Sequence, residues 1–182
     1  FVNSNAELKN EFKSVIASWA DPNATLIPNG IFKESDINKY IDFNFSSIDK
    51  GEVCFDSIES MQAKNIFAFP SQLRTAIEST YPHATLIHSN SVLLELLLRK
   101  LKGHQDSHCF SYFHQEYFHL VLISEGRVRF SNSFLYQSAE DVLYFILTTF
   151  QEFQLEVDAT ELFILGKNTN EAIKDLLQSY VR

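Results

Sequence analysis

The stretch Cys109–Phe150, CFSYFHQEYFHLVLISEGRVRFSNSFLYQSAEDVLYFILTTF, decides the fold. Its apolar runs, divided by short polar breaks, predict three strands and then a helix: roughly 108–114, 117–124, a third from 127, and a helix after Ser138. Gln115-Glu116 turns the first hairpin and Glu125-Gly126 the second, where glycine supplies the positive φ of a two-residue turn. In the third strand Val128, Phe130 and Phe134 are expected on one face, with Arg127, Arg129, Ser131 and Ser133 on the other. Ser138 and Asp141 have the spacing of a capping box, and the helix they open should bury Val142, Phe145, Ile146 and Phe150. Several nucleotide-handling folds share this order of elements. Their first hairpin, however, wants Asp and Gly to hold phosphate and metal, and here it reads His114-Gln115-Glu116.

Downstream, ELFILG (161–166) reads as a short, central parallel strand and NEAIKDLLQSYV as a closing amphipathic helix. Upstream, KSVIASW and ATLIP are strands around a DPN turn. KESDINKYIDFNF is helical, with Ile37, Tyr40 and Ile41 on one face. EVCFDSI and KNIFAF are two more strands. Pro70 opens a helix over SQLRTAIESTY, ATLIHS is a strand, and Ser89 or Asn90 caps a helix over 91–102 that Gly103 ends. That helix is apolar most of the way round, the pattern of a helix buried between layers. Residues 1–11 are polar and read as mobile or as a short helix. The polar GHQDS (103–107) divides the chain into an expected first domain, 1–102, and a second, 103–182.

With 182 residues and 45% hydrophobic content, the chain can bury one core or two small ones. Its 23 acidic against 15 basic residues give a net charge of −8, which disfavours nucleic-acid binding and docking on an anionic membrane. Cys54 and Cys109 lie far apart, as suits a reducing compartment, and the expected location is cytoplasmic. No apolar run reaches the ~18 residues of a spanning helix. Phe1 stands where an initiator Met would, so the sequence reads as a trimmed segment.

Candidate chemistry is sparse. His104, His108, Cys109, His114 and His119 cluster in sequence, but no second ligand pair follows, so core or surface histidines outweigh a zinc site. Cys54 and Cys109 lack a visible activating partner and read as inert thiols. The carboxylate pairs Glu140-Asp141 and Glu171-Asp175 sit on helices rather than at strand ends, and the strand CFSYFH carries none. Both features weigh against a nuclease. Arg127 and Arg129 read as an exposed strand face. Gly166 and Lys167, in LGKNTNE, mark a strand-to-helix turn that could hold an anion weakly or simply precede an Asn or Thr cap.

ATLIPNGIF, NIFAFPSQLRTAIESTYPHATLIHSNSVLLELL, EGRVRFSNSFLYQSAEDVLYFILTTFQEF and ELFILGKNTNE, in that order, resemble an uncharacterised family of bacterial proteins. That family is assigned an actin-like ATPase (ribonuclease H-like) fold, similar to the pilus-assembly protein PilM. The resemblance implies an α/β protein of two ribonuclease H-like lobes around a cleft. It also implies a further N-terminal hairpin and a further C-terminal strand beyond this sequence. In working relatives the hairpin after the second lobe's first strand is an Asp-x-Gly phosphate loop, where this chain has Phe113–Phe118, FHQEYF; their Gly-rich adenosine turn is here LGKNTN. The expected protein is therefore noncatalytic, without metal or cofactor, and serves as a scaffold for another protein. The alternative is a residual ATP-binding protein or weak ATPase that would rely on Gly166 and Lys167.

Overall fold

The computed structural model describes residues 8, 11–45, 51–167 and 169–181, so most of the 1–11 segment lies outside the described residues. The chain divides into two compact units, Phe1–Leu94 and Glu95–Arg182.

The first unit holds β1 (Ile16–Trp19), β2 (Ala24–Pro28), α1 (Ile37–Asn44), β3 (Glu52–Ile58), β4 (Ala63–Phe69), α2 (Ser71–Thr80), β5 (Thr85–His88) and the start of α3 (Ser89–Lys100). β2, β4 and β3 form an antiparallel sheet with β4 in the middle. β4 is accordingly the most buried of the three, with Ile66, Phe67 and Phe69 in the core. β1 and β2 flank the DPN turn but do not pair with each other; β1 pairs in parallel with β5. α1 forms over the amphipathic run, burying Ile41. α3 begins at Ser89 itself rather than after a Ser89 or Asn90 cap. Nor is it apolar all round in its burial: Leu94 is fully buried while Leu96 is 56% exposed.

The second unit holds β6 (His108–Phe113), β7 (Tyr117–Ser124), β8 (Arg127–Leu135), α4 (Ala139–Glu152), β9 (Glu161–Leu165) and α5 (Glu171–Tyr180). The sheet order is β8-β7-β6-β9, with β9 parallel to β6 and the other pairs antiparallel. β9 is parallel, as its apolar run suggests, but lies at the edge of the sheet among the described residues instead of at its centre. Glu125 and Gly126 both take positive φ (54° and 67°), as a type I′ turn demands of its two central residues. A bulge where Leu122 and Ile123 meet β8 shifts the register, pairing Leu122 with Phe130 but Ile123 with Val128. Val128 thus leaves the face of Phe130 and Phe134 and joins that of Ser131 and Ser133, because a bulge spends one extra residue on one strand.

One sheet face and the two helices enclose a core of Cys109, Phe113, Phe118, Leu120, Val142, Ile146, Phe150, Ile173 and Leu177. Ser138 Oγ accepts from the Asp141 amide at 3.2 Å and Asp141 Oδ2 accepts from the Ser138 amide at 3.0 Å, completing the capping box. The buried face of α4 is Val142, Ile146, Thr149 and Phe150; Phe145 is only partly buried, stacked on Phe134 at 4.4 Å.

Candidate functional site

The β6–β7 hairpin is the place where chemistry was to be sought. Gln115 and Glu116 form the turn, as expected, closed by the His114 amide donating to the Tyr117 carbonyl at 2.9 Å one step beyond the Phe113–Phe118 pair. The His114 ring stacks on Tyr117 (4.3 Å between centroids, 10° between planes) and meets Tyr112 edge-on at 4.6 Å. Tyr136, just past β8, donates its amide to Glu116 O and its hydroxyl to His114 O. Below the turn Phe113 stacks on Phe118 at 5.3 Å. Burial holds the His114 imidazole below its ordinary pKa, so near neutral pH the turn carries no histidine charge to draw an anion. None of its residues takes the positive φ that would turn successive amides toward a phosphate.

Gly166 and Lys167 follow β9 at the neighbouring position. Gly166 has φ +97°, and a Cβ built on it would sit 2.6 Å from Phe113 O. Only glycine lets the β9–α5 turn run this close to the end of β6. Lys167 is exposed and in no ion pair among the described residues. The helix behind it is capped by its own side chain, with Asn170 Oδ1 accepting from the Ile173 amide at 2.8 Å. The turn therefore has the Asn cap of one reading and the free lysine of the other.

The histidines separate. His119, 4% exposed, is held between Ser133 Oγ (2.8 Å from Nδ1) and Ser131 Oγ (2.9 Å from Nε2). His108 Nδ1 lies 3.6 Å from Glu161 Oε2, and its ring meets that of His104 edge-on at 5.9 Å. Among the described residues no group of three or more His, Cys, Asp and Glu is placed to hold a metal ion. Cys109 is fully buried in the core, where desolvation pushes its thiol up to about 12. Cys54 is half-buried and accepts from Arg74 Nη1 at 3.4 Å, yet burial outweighs that cation and raises its pKa. Asp141 is taken up by the α4 cap and Glu171 by Lys174 at 2.7 Å.

Sequence reasoning passed over a buried polar network in the first unit. Asp56 and Asn65 are register partners on β3 and β4. Asp56 Oδ2 accepts from the His88 amide at 2.8 Å and also takes Ser91, while Asn65 Nδ2 donates to Ser91 Oγ at 2.9 Å. His88 Nδ1 accepts from the Asn90 amide at 3.1 Å. The network holds a serine, a histidine and an aspartate, but Asp56 takes the histidine's backbone instead of its ring, and Ser91 turns to Asn65 and Asp56. A nucleophilic triad needs the serine on the imidazole and the carboxylate behind it. Asn65, His88, Asn90 and Ser91 are also at most 3% exposed, closed to substrate. His88 Nδ1 satisfies the Asn90 amide in the first turn of α3, and the Asn65–Ser91 bond ties that turn to the sheet. The signal available was HSNS, a polar run directly after an apolar strand, and Asn65 inside another.

Comparison with known proteins places this architecture among the actin-like ATPase folds. A protein of unknown function from Bacteroides thetaiotaomicron VPI-5482, with an actin-like ATPase fold and a crystal structure at 1.85 Å resolution, matches it with a TM-score of 0.89. The two share 18% identity over 99% of this chain and 71% of that one. At the level of sequence, residues 1–182 match a family described as proteins of unknown function, DUF3822, and the chain belongs to that family. No curated protein matches it.

Proposed function

We propose that the chain is a noncatalytic member of the actin-like ATPase fold, built of two ribonuclease H-like lobes (1–102 and 103–182), that binds another protein as a cytoplasmic scaffold. The observation that carries this reading is the 113–118 hairpin. Its turn is packed with the rings of Tyr112, His114, Tyr117 and Tyr136. It offers neither a glycine amide to a phosphate nor a carboxylate that converges with others on magnesium. ATP and magnesium do not fit such a turn, and no hydrolytic step is derived through them. A fold that has given up its nucleotide keeps its surfaces, and binding is what surfaces can still do. No helix among the described residues is long and apolar enough to cross a membrane. A scaffold relationship to pilus-assembly proteins of the PilM type is part of the same reading.

Calorimetric titration with ATP and magnesium tests the noncatalytic half: no heat of binding is expected up to millimolar nucleotide. Binding at micromolar affinity would promote the second reading, a residual ATP-binding protein. That reading draws on one observation, the exposed Lys167 beside the close turn at Gly166. The protein-binding half fails if the chain purifies from its native host as a clean monomer with no other protein attached.

A further inference from the structure

We infer that the free edge of β8 and the groove beside it form a docking site for an extended, acidic segment of another protein, added to the sheet as a fifth strand. The inference rests on the protein-binding reading and gives it a surface and a ligand chemistry. Among the described residues β8 ends the sheet, and it is nine residues long. The Tyr136 amide points inward to Glu116 O, whereas the Ser133 amide is turned to the side chain of Asn132. Residues of odd number, Ser131, Ser133 and Leu135, therefore direct their backbone groups away from β7. Such a row of outward amides and carbonyls is where an extended chain can pair. The Asn132 contact is between chain neighbours, and a ligand carbonyl could replace it.

On the helix-covered side, Phe130, Phe134, Phe145 and Phe153 line a groove of about 400 Å³ together with Thr148 and Thr149. In an added strand alternate side chains would fall over that face. The groove gives one of them, large and aromatic or aliphatic, an apolar place. Charge selects the rest of the ligand. Arg127 and Arg129 begin the same strand, are exposed, and form no ion pair among the described residues. In a chain of net charge −8 they form a local cationic site that favours carboxylates. Glu152, the one carboxylate lining the groove, lies next to Phe153 and keeps the ligand's acids off the groove and toward the arginines. A second copy of this chain is the poorer occupant, since pairing would bring −8 against −8.

The test displays a random dodecapeptide library on the whole chain and measures enriched peptides, fluorescein-labelled, against wild type, T148W and R127E/R129E. T148W fills the groove and R127E/R129E reverses the charge; circular dichroism and melting confirm that each is folded. Enriched peptides should share a large apolar residue with Asp or Glu within four positions, and should lose at least tenfold in affinity on either variant. Peptides that bind all three chains alike overturn the site while leaving the protein-binding reading standing. An edge-to-edge dimer of this chain, concentration-dependent and abolished by S133P, overturns it in favour of self-association. If no peptide is enriched the site falls; the wider reading falls only when nothing co-purifies from the native host.

Discussion

Gly166 shows how much one residue can settle. An alanine there would have to hold φ near +97° and place its Cβ 2.6 Å from the Phe113 carbonyl. The left-handed backbone alone costs a non-glycine residue about 1–3 kcal/mol. We expect Gly166→Ala to lower the unfolding free energy by at least about 1 kcal/mol, read from a lowered urea midpoint at unchanged slope, and an unchanged midpoint would show that the turn can move away from β6. Asp56 offers a prediction with a sign. Burial raises its pKa more than its hydrogen bonds from Ser91 and the His88 amide lower it. A carboxyl raised in the folded state contributes stability that is fully present below its unfolded pKa and is lost as pH rises through the folded value. Comparing urea unfolding at pH 3.5 and pH 7, Asp56→Asn should gain on wild type at the higher pH, whatever the constant cost of its altered hydrogen bonds. A difference independent of pH would mean that the carboxyl titrates normally. Neither residue's role was fully legible in the sequence. Gly166 could be seen as a turn, but its contact with Phe113 depends on β9 lying beside β6, and the Asp56 network draws on four elements that no local pattern links.

Elements were legible where the chemistry that ends them is local. The Glu125-Gly126 turn fixes β7 and β8 as neighbours, and Ser138 with Asp141 starts α4 where the spacing says it should. The cap is worth testing for that reason. Ser138→Ala leaves the Asp141 amide without its side-chain acceptor, and loss of such a cap typically costs about 0.5–2 kcal/mol. The expected reading is a lowered midpoint with unchanged helix content by circular dichroism; Ser138→Asp, which restores the acceptor, should recover most of it. Pairing between distant segments was less legible. β1 looks like the partner of β2 across the DPN turn, but it pairs with β5, which its own four residues do not announce. β9 carries the apolar run of a central strand, yet takes the edge with Phe163 39% exposed, because a short apolar run specifies neither the number of neighbours nor burial on both faces. The bulge in β8 similarly leaves no mark in the alternation around it, so Val128 takes the face opposite to the one its alternation predicts.

For the whole molecule, charge is the property that sequence reports best, because summing it needs no fold. The proposed ribonuclease H-like lobes invite a nucleic-acid reading, and the net charge of −8 opposes it. Binding to a phosphate backbone rests on clustered Lys and Arg, each neutralised phosphate adding to the salt dependence. Two basic side chains in the first unit are already engaged: Arg74 holds Glu52 at 3.0 Å and Glu78 at 2.8 Å, and Lys39 holds Asp36 at 2.7 Å. In the second, Lys174 holds Glu171, while Arg99, Lys100, Lys102 and Lys167 are exposed, as are Arg127 and Arg129 on β8. A handful of exposed cations in a chain of net charge −8 cannot carry duplex affinity against the repulsion of the remaining surface, although Arg127 and Arg129 can orient one acidic peptide. Fluorescence anisotropy of a labelled duplex and of a labelled single strand should therefore stay flat in 50 mM salt up to tens of micromolar protein. A rise that collapses steeply with added salt would reveal a multi-phosphate contact that net charge conceals, and would move the search for a ligand from proteins to nucleic acid. A flat response, set beside acidic peptides that do bind, would place the recognition on those two arginines and not on the fold's general charge.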